Sequence, residues 1–291
     1  MSAKHPFAIV VDGTTVLAPD ARRDLDIRFL PLHVSFGAES YTAGVDLSSE
    51  QFYARIAQPN ARPTTSQPSM GECREIYEEA VRDGYDKILV LTVATEFSGT
   101  YSVATTTGGQ ILGTEIVVVD THTTAGSIGL IATACARARR DGRSLAETAA
   151  LARTLAERTQ LLALIDMLEF LRRSGRISGA AAIFGSLLRV KPILDIAHGK
   201  AESIDRARTR EKGMALLQEL ISARIPVGAR IHASSLHCNA PERARALGEW
   251  VQARYHCVEY WTDEAGPVLA AHAGPGTVGL CWFLEEDLSA R

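Results

Sequence analysis

The chain has 291 residues, 46% hydrophobic and 22% charged, with a net charge of −3 at pH 7. That composition fits a globular protein long enough for two domains with well-buried cores, and its slight acidity gives no electrostatic reason to expect nucleic acid as a partner. No apolar run approaches the ~18 residues of a membrane span. Residues 1–13 carry one lysine before a strand-like run and are not expected to be a secretory signal. The five cysteines, Cys73, Cys135, Cys238, Cys257 and Cys281, have no metal-ligand spacing, so reduced thiols in a cytoplasm and no structural zinc are expected.

FAIVVDG (7–13) reads as a buried parallel strand delivering Asp12 to a site. IRFLPLHVSFG (27–37) continues as a small β insertion near residues 25–60, where Pro31 suggests an edge strand and GAES a hairpin turn. LSSEQFYARIA (47–57) is an amphipathic helix, and Ser69 can cap another carrying Ile76, Tyr77 and Ala80. KILVLTV (87–93) and EIVVVD (115–120) are strands, each followed by a helix, and SLAE (144–147) is a capping-box pattern. Strands alternating with helices imply a mostly parallel sheet flanked by helices, with ligands beyond the carboxyl ends of the strands. Those ends are VVDGT, TVATEFSGT and VVDTHTT, all rich in hydroxyls.

The pattern changes near residue 160. LLALIDMLEFLRRSGRIS gives a strand and a short helix, and GAAAIFGSLLRV a small-residue-rich helix. KPILDIAHGKAESIDRAR resembles a hairpin turning at His198-Gly199. TREKGMALLQELISAR and PERARALGEWVQAR are helices, while IHAS, CVEYW, PVLAAHA and TVGLCWFL are strand-like. An N-terminal α/β domain (1–160) and a C-terminal α+β domain (161–291) with a largely antiparallel sheet are expected.

Two distant segments hold the materials of a small anion site. ARPTTSQPS (61–69) is a hydroxyl-rich stretch between prolines, unsuited to a helix interior or a central strand. AHAGPG (271–276) sets one histidine beside glycines and a proline. Hydroxyls, imidazole and free backbone N–H groups can hold a buried carboxylate without a fixed cation.

PTTSQPS (63–69), FSGTYSVA (97–104), LEFLRRSGRIS (168–178), GSLLRVKPIL (185–194), RARTR (206–210) and HAGPGTVG (272–279) occur in this order along nearly the whole chain. Together they resemble the DegV family of bacterial fatty-acid-binding proteins, which includes the FakB subunit of fatty acid kinase. The resemblance implies a long-chain fatty acid buried between two domains and no other cofactor or metal. Its carboxylate would be held by Thr65, Ser98 and His272, with Ser66 adjacent. A separate kinase catalytic subunit would then make an acyl-phosphate for phospholipid synthesis, and transient contact with a membrane surface is a further expected partner interaction. On that reading the chain presents a lipid and performs no chemistry alone. Arg176 matches an arginine associated with phosphoryl transfer, and Arg208 a second position facing the kinase.

For the tail, nearness to Arg176 in sequence suggests Met167, Phe170, Phe184, Leu187 and Leu188. The chain departs from the family pattern at Ala94–Phe97 before Ser98, at Gly13 after Asp12, at Ser174 before Gly175-Arg176, and at Ala271 and Ala273 around His272. These departures bear on which acyl chain binds. Two other readings remain: a carrier or sensor of another apolar carboxylic acid, and a serine hydrolase using Ser98 and His272. The hydrolase would want G-x-S-x-G, and Ser98 sits in E-F-S-G-T. Neither a P-loop nor G-x-G-x-x-G follows the first strand.

Overall fold

The computed structural model describes residues 5–18, 20–177 and 190–289. The chain opens with β1 (Ala8–Asp12), whose five residues are all buried. Next come the short α1 (Ala21–Asp24) and β2 (Ile27–Leu30), which pairs parallel with β1. β3 (His33–Phe36), β4 (Glu39–Thr42) and β5 (Pro63–Ser66) form a separate antiparallel sheet in the order β4-β3-β5, interrupted in sequence by α2 (Ser49–Ile56). Pro31 and Leu32 are the crossing between sheets, so the segment 27–37 serves two of them. The proline-flanked PTTS run occupies an edge, where a missing backbone donor costs no ladder bond.

α3 (Met70–Arg82), β6 (Lys87–Thr92), α4 (Thr100–Gly108), β7 (Glu115–Asp120), α5 (Gly126–Arg140) and α6 (Leu145–Arg158) complete the N-terminal part. Its parallel sheet has the order β2-β1-β6-β7. Alternate residues serve opposite faces: Ile9, Val11, Leu89 and Leu91 join one core, and Ala8, Val10, Ile88 and Val90 another with Cys73, Tyr77 and Ala104. Burial on both faces explains why these strands read as continuous apolar runs. Capping boxes form at Ser48–Gln51, Ser69–Glu72 and Ser144–Glu147.

β8 (Gln160–Leu164) opens the second sheet and leads into α7 (Leu168–Ser174). β9 (Lys191–Ala197) and β10 (Lys200–Ala207) form the expected hairpin, with His198 and Gly199 at φ 50° and 73° in its two-residue turn. α8 (Arg210–Arg224), β11 (Arg230–His237), α9 (Pro241–Gln252), β12 (His256–Glu264), α10 (Gly266–Ala273), β13 (Val278–Leu284) and a 3-10 turn at Glu285–Ser289 follow. The sheet order is β10-β9-β8-β13-β11-β12, antiparallel throughout except for β11 with β12. α8 and α9 cover one face, while α5 and α6 pack between the two large sheets. The result is alternating layers of helix and sheet, an α/β fold with an N-terminal parallel sheet and a mostly antiparallel C-terminal one.

One expected strand is a helix. PVLAAHA forms α10, with Pro267 in its first turn and Gly274 ending it at φ 77°. The run is too short for its apolar period to separate strand from helix, but proline inside the start and glycine past the end are helix punctuation. The expected GAAAIFGSLLRV helix lies almost wholly outside the described residues, as do Phe184, Leu187 and Leu188.

Candidate functional site

The parallel sheet reverses its strand order between β1 and β6, and at such a point the loops beyond the carboxyl ends part to leave a crevice. Here the crevice is a cavity of about 390 Å³, capped from the other side by the second sheet and α10. Its apolar wall includes Leu32, Val93, Leu161, Ile165, Leu194 and Leu236. That volume lies in the range of small-molecule sites.

Polar groups gather where β5, α10 and the loop before α4 meet. Thr65 sits on β5 opposite Val34, and α10 packs on β3 and β5. This brings Thr65 Oγ1 to 2.8 Å from His272 Nε2, across 207 residues of sequence. The Nδ1 of His272 is buried with no partner among the described residues. Burial, reinforced by the nearby Arg176 guanidinium, pushes the imidazole down to about 4, so it is neutral at physiological pH. A neutral imidazole offers one N–H and one lone pair, and one ring position remains open for a ligand oxygen.

Ser98 precedes α4, and its Oγ lies 2.8 Å from Thr100 Oγ1 and accepts from Thr100 N–H at 3.3 Å. Gly99 caps α4 without a side-chain bond. It also lets Gln67 lie against the turn: a Cβ at Gly99 would stand 2.1 Å from Gln67 Oε1. This close approach joins the TTSQ segment to the Ser98 turn. Arg176 follows α7, its Nη1 donating to Ser174 O at 2.6 Å and its Nε to Phe97 O at 3.4 Å. Thr65, Ser66, Gln67, Ser98, Arg176 and His272 all line the cavity.

The other sequence-derived residues lie elsewhere. Arg208 is exposed on the turn between β10 and α8, away from the cavity lining. Met167 and Phe170 border a second hollow of about 490 Å³ with Tyr53, Arg62 and Pro275. The next residue of α7, Leu171, lines the main cavity, because successive helical residues point about 100° apart. Met167 and Phe170, suggested by nearness to Arg176 in sequence, thus border a different hollow from the one that Leu171 lines. Other wall residues come from β8, β9, β11 and the segment just after β6, which only the fold brings together. Thr14 and Thr124 also line the cavity, and both lie in the hydroxyl-rich strand ends noted in the sequence.

A hydrolytic triad is not assembled here. Ser98 bonds Thr100, His272 bonds Thr65, and no carboxylate orients His272 Nδ1 among the described residues. Glu96, Asp120 and His122 can bring one ligand atom each within 4.8 Å of one another. Asp120 is already engaged by Thr95 and the His122 backbone.

The fold and site define a class: α/β proteins whose two large sheets enclose an apolar cavity with a small hydroxyl–imidazole cluster. The DegV family model, described as an uncharacterised protein family, matches residues 6–285, and the chain belongs to that family. A DegV domain-containing protein of Halalkalibacterium halodurans is 30% identical over 280 residues, covering 96% of this chain and 99% of the relative. Among solved structures, one described as fatty acid binding of a DegV family protein from Thermus thermophilus superposes with a TM-score of 0.89 at 29% identity. It covers 96% of this chain and 99% of that one. DegV of Bacillus subtilis, described as a fatty acid binding protein, gives 0.87 at 29% identity, covering 97% and 100%.

Proposed function

We propose that this protein binds a long-chain fatty acid between an N-terminal unit over residues 1–160 and a C-terminal unit over 161–291, and presents its carboxylate to a separate kinase subunit. The observation that carries the reading is the Thr65–His272 pair, with an open Nδ1, beside an apolar cavity. A carboxylate there accepts from the Ser98 hydroxyl and from the imidazole Nδ1–H, while the Thr65 hydroxyl donates to Nε2 and so fixes the tautomer that leaves the proton on Nδ1. Arg176, on the same wall and already turned toward backbone carbonyls, supplies positive charge near the head group without forming a fixed buried ion pair. The fatty-acid-binding descriptions of the similar structures support the ligand class.

Magnitudes assign the roles. Burying about 15 methylenes at about 0.8 kcal/mol each gives a gross term of about 12 kcal/mol before the entropy of binding is subtracted. The head-group hydrogen bonds contribute a few kcal/mol net. The tail sets affinity, and Thr65, Ser98 and His272 select an acid and fix its orientation.

Native mass spectrometry of the protein purified under mild conditions tests the ligand. A co-purified long-chain acid supports the proposal; a retinoid-like or aromatic acid supports the alternative of another apolar acid; repeated absence of any ligand counts against both. Arg176 and Arg208 are assigned to the kinase-facing step. Arg176→Ala is expected to keep its lipid and to lose most acyl-phosphate formation in a reconstituted assay with a kinase subunit. Equal loss of lipid would assign Arg176 to holding the head group and not to the transfer step.

A further inference from the structure

The carboxylate cluster does not use every polar group on the cavity wall. Thr124 lies in the loop after β7, and its Oγ1 is buried with no partner among the described residues. Thr14 follows β1 and lines the same cavity. Its hydroxyl donates to Asp12 Oδ1 at 2.6 Å, so its oxygen has only lone pairs left to offer. The two loops are tied by Val16 N–H donating to Ala125 O at 3.2 Å. Asp12 is held in turn by the backbone N–H groups of Thr14 and Val93, at 2.8 and 2.5 Å. This holds the Thr14 side chain in one orientation.

A buried hydroxyl without a partner is costly, and structures rarely keep one without a water or ligand to satisfy it. A plain hydrocarbon tail lying against Thr124 leaves it unsatisfied and shuts water out as well. A hydroxyl on the tail does the opposite. It accepts from Thr124 and donates to the lone pairs that Thr14 has left, whereas a ketone oxygen can only accept.

We infer that the cavity has a second polar station, formed by Thr124 and Thr14, and that it selects long-chain fatty acids bearing a hydroxyl on the chain. This rests on the fatty-acid reading above and names the substrate class of that same site. The carboxylate cluster fixes where the chain begins, so the station reads one position, or two adjacent ones, along it.

The test is competition binding to delipidated protein, with stearic acid and hydroxystearic acids carrying the hydroxyl at successive positions. The wild type, Thr124→Val and Thr124→Ser are compared by the ratio of hydroxy to plain acid affinity. The wild type is expected to bind one isomer, or two neighbours, about tenfold tighter than stearic acid. Thr124→Val is expected to abolish that ratio, and Thr124→Ser, which keeps a hydroxyl in place, to retain most of it. Equal or weaker binding of every isomer overturns the inference, as does a preference that Thr124→Val leaves intact. An oxostearic acid bound as tightly as the matching hydroxy acid overturns the assignment of a hydroxyl. Failure of stearic acid to bind the wild type at all overturns the fatty-acid reading itself, and the inference with it.

Discussion

His272 stands in the last turn of α10 with one nitrogen on Thr65 and the other open. Removing either side chain of the cluster leaves a buried carboxylate short of a donor, which costs about 1–3 kcal/mol and more for a charged group. His272→Ala and Ser98→Ala are each expected to weaken fatty-acid retention by about tenfold or more, read by competition binding or by lipid occupancy after purification. Unchanged occupancy in both would remove the cluster from the head group. The imidazole also carries a pH signature. Its folded-state value lies near 4 against an ordinary 6.5, so below pH 6.5 the unfolded chain binds a proton that the folded one refuses. Stability of the ligand-free protein is therefore expected to fall as pH drops from about 6.5 to about 4, by up to about 3 kcal/mol, and to lose nothing further from this group below that. Urea denaturation across that window checks it, with the wild type compared against His272→Asn, in which this contribution is missing.

At the scale of elements, the site depends on a few close approaches. The amino end of α5 runs so near the loop after β1 that a Cβ at Gly129 would stand 1.9 Å from the Val16 carbonyl oxygen. Backbone cannot yield as a side-chain tip can. Gly129→Ala is expected to destabilise by about 2–3 kcal/mol and to displace the loop holding Thr14, detected as a lower denaturation midpoint together with weaker lipid binding. Much at this scale was legible in the sequence. Ser69 and Ser144 announced their helices because a capping box is local chemistry, closed within four residues. The His198-Gly199 hairpin was legible for the same reason. α10 was misread because a seven-residue, mostly apolar run fits either period, and its docking against α7, β3 and β5 is a tertiary matter.

At the scale of the whole molecule, the cavity lies where two sheets and the helices between them meet, so on the proposed function occupancy and stability are coupled. A ligand held only by the folded state stabilises it by about 2.7 kcal/mol at a free concentration about 100 times Kd. Delipidated protein is expected to melt several degrees lower than protein reloaded with stearic acid, as calorimetry would show; coincident melting curves would argue against a buried tail. By itself the sequence determined which segments are strands and helices over most of the chain and the change of pattern near residue 160, and it singled out Thr65, Ser98 and His272, which the fold brings to one cavity. Those depend on local periodicity, caps and short motifs. Only the tertiary structure decided which side chains wall the cavity. It set Leu171 on the cavity and Phe170 on a second hollow from one short helix, gathered Leu32, Leu161, Leu194 and Leu236 from separate segments, and left the Thr124 hydroxyl on the cavity wall without a partner among the described residues. A cavity is the space between elements, and the residues bordering it share no period, spacing or neighbourhood in the chain.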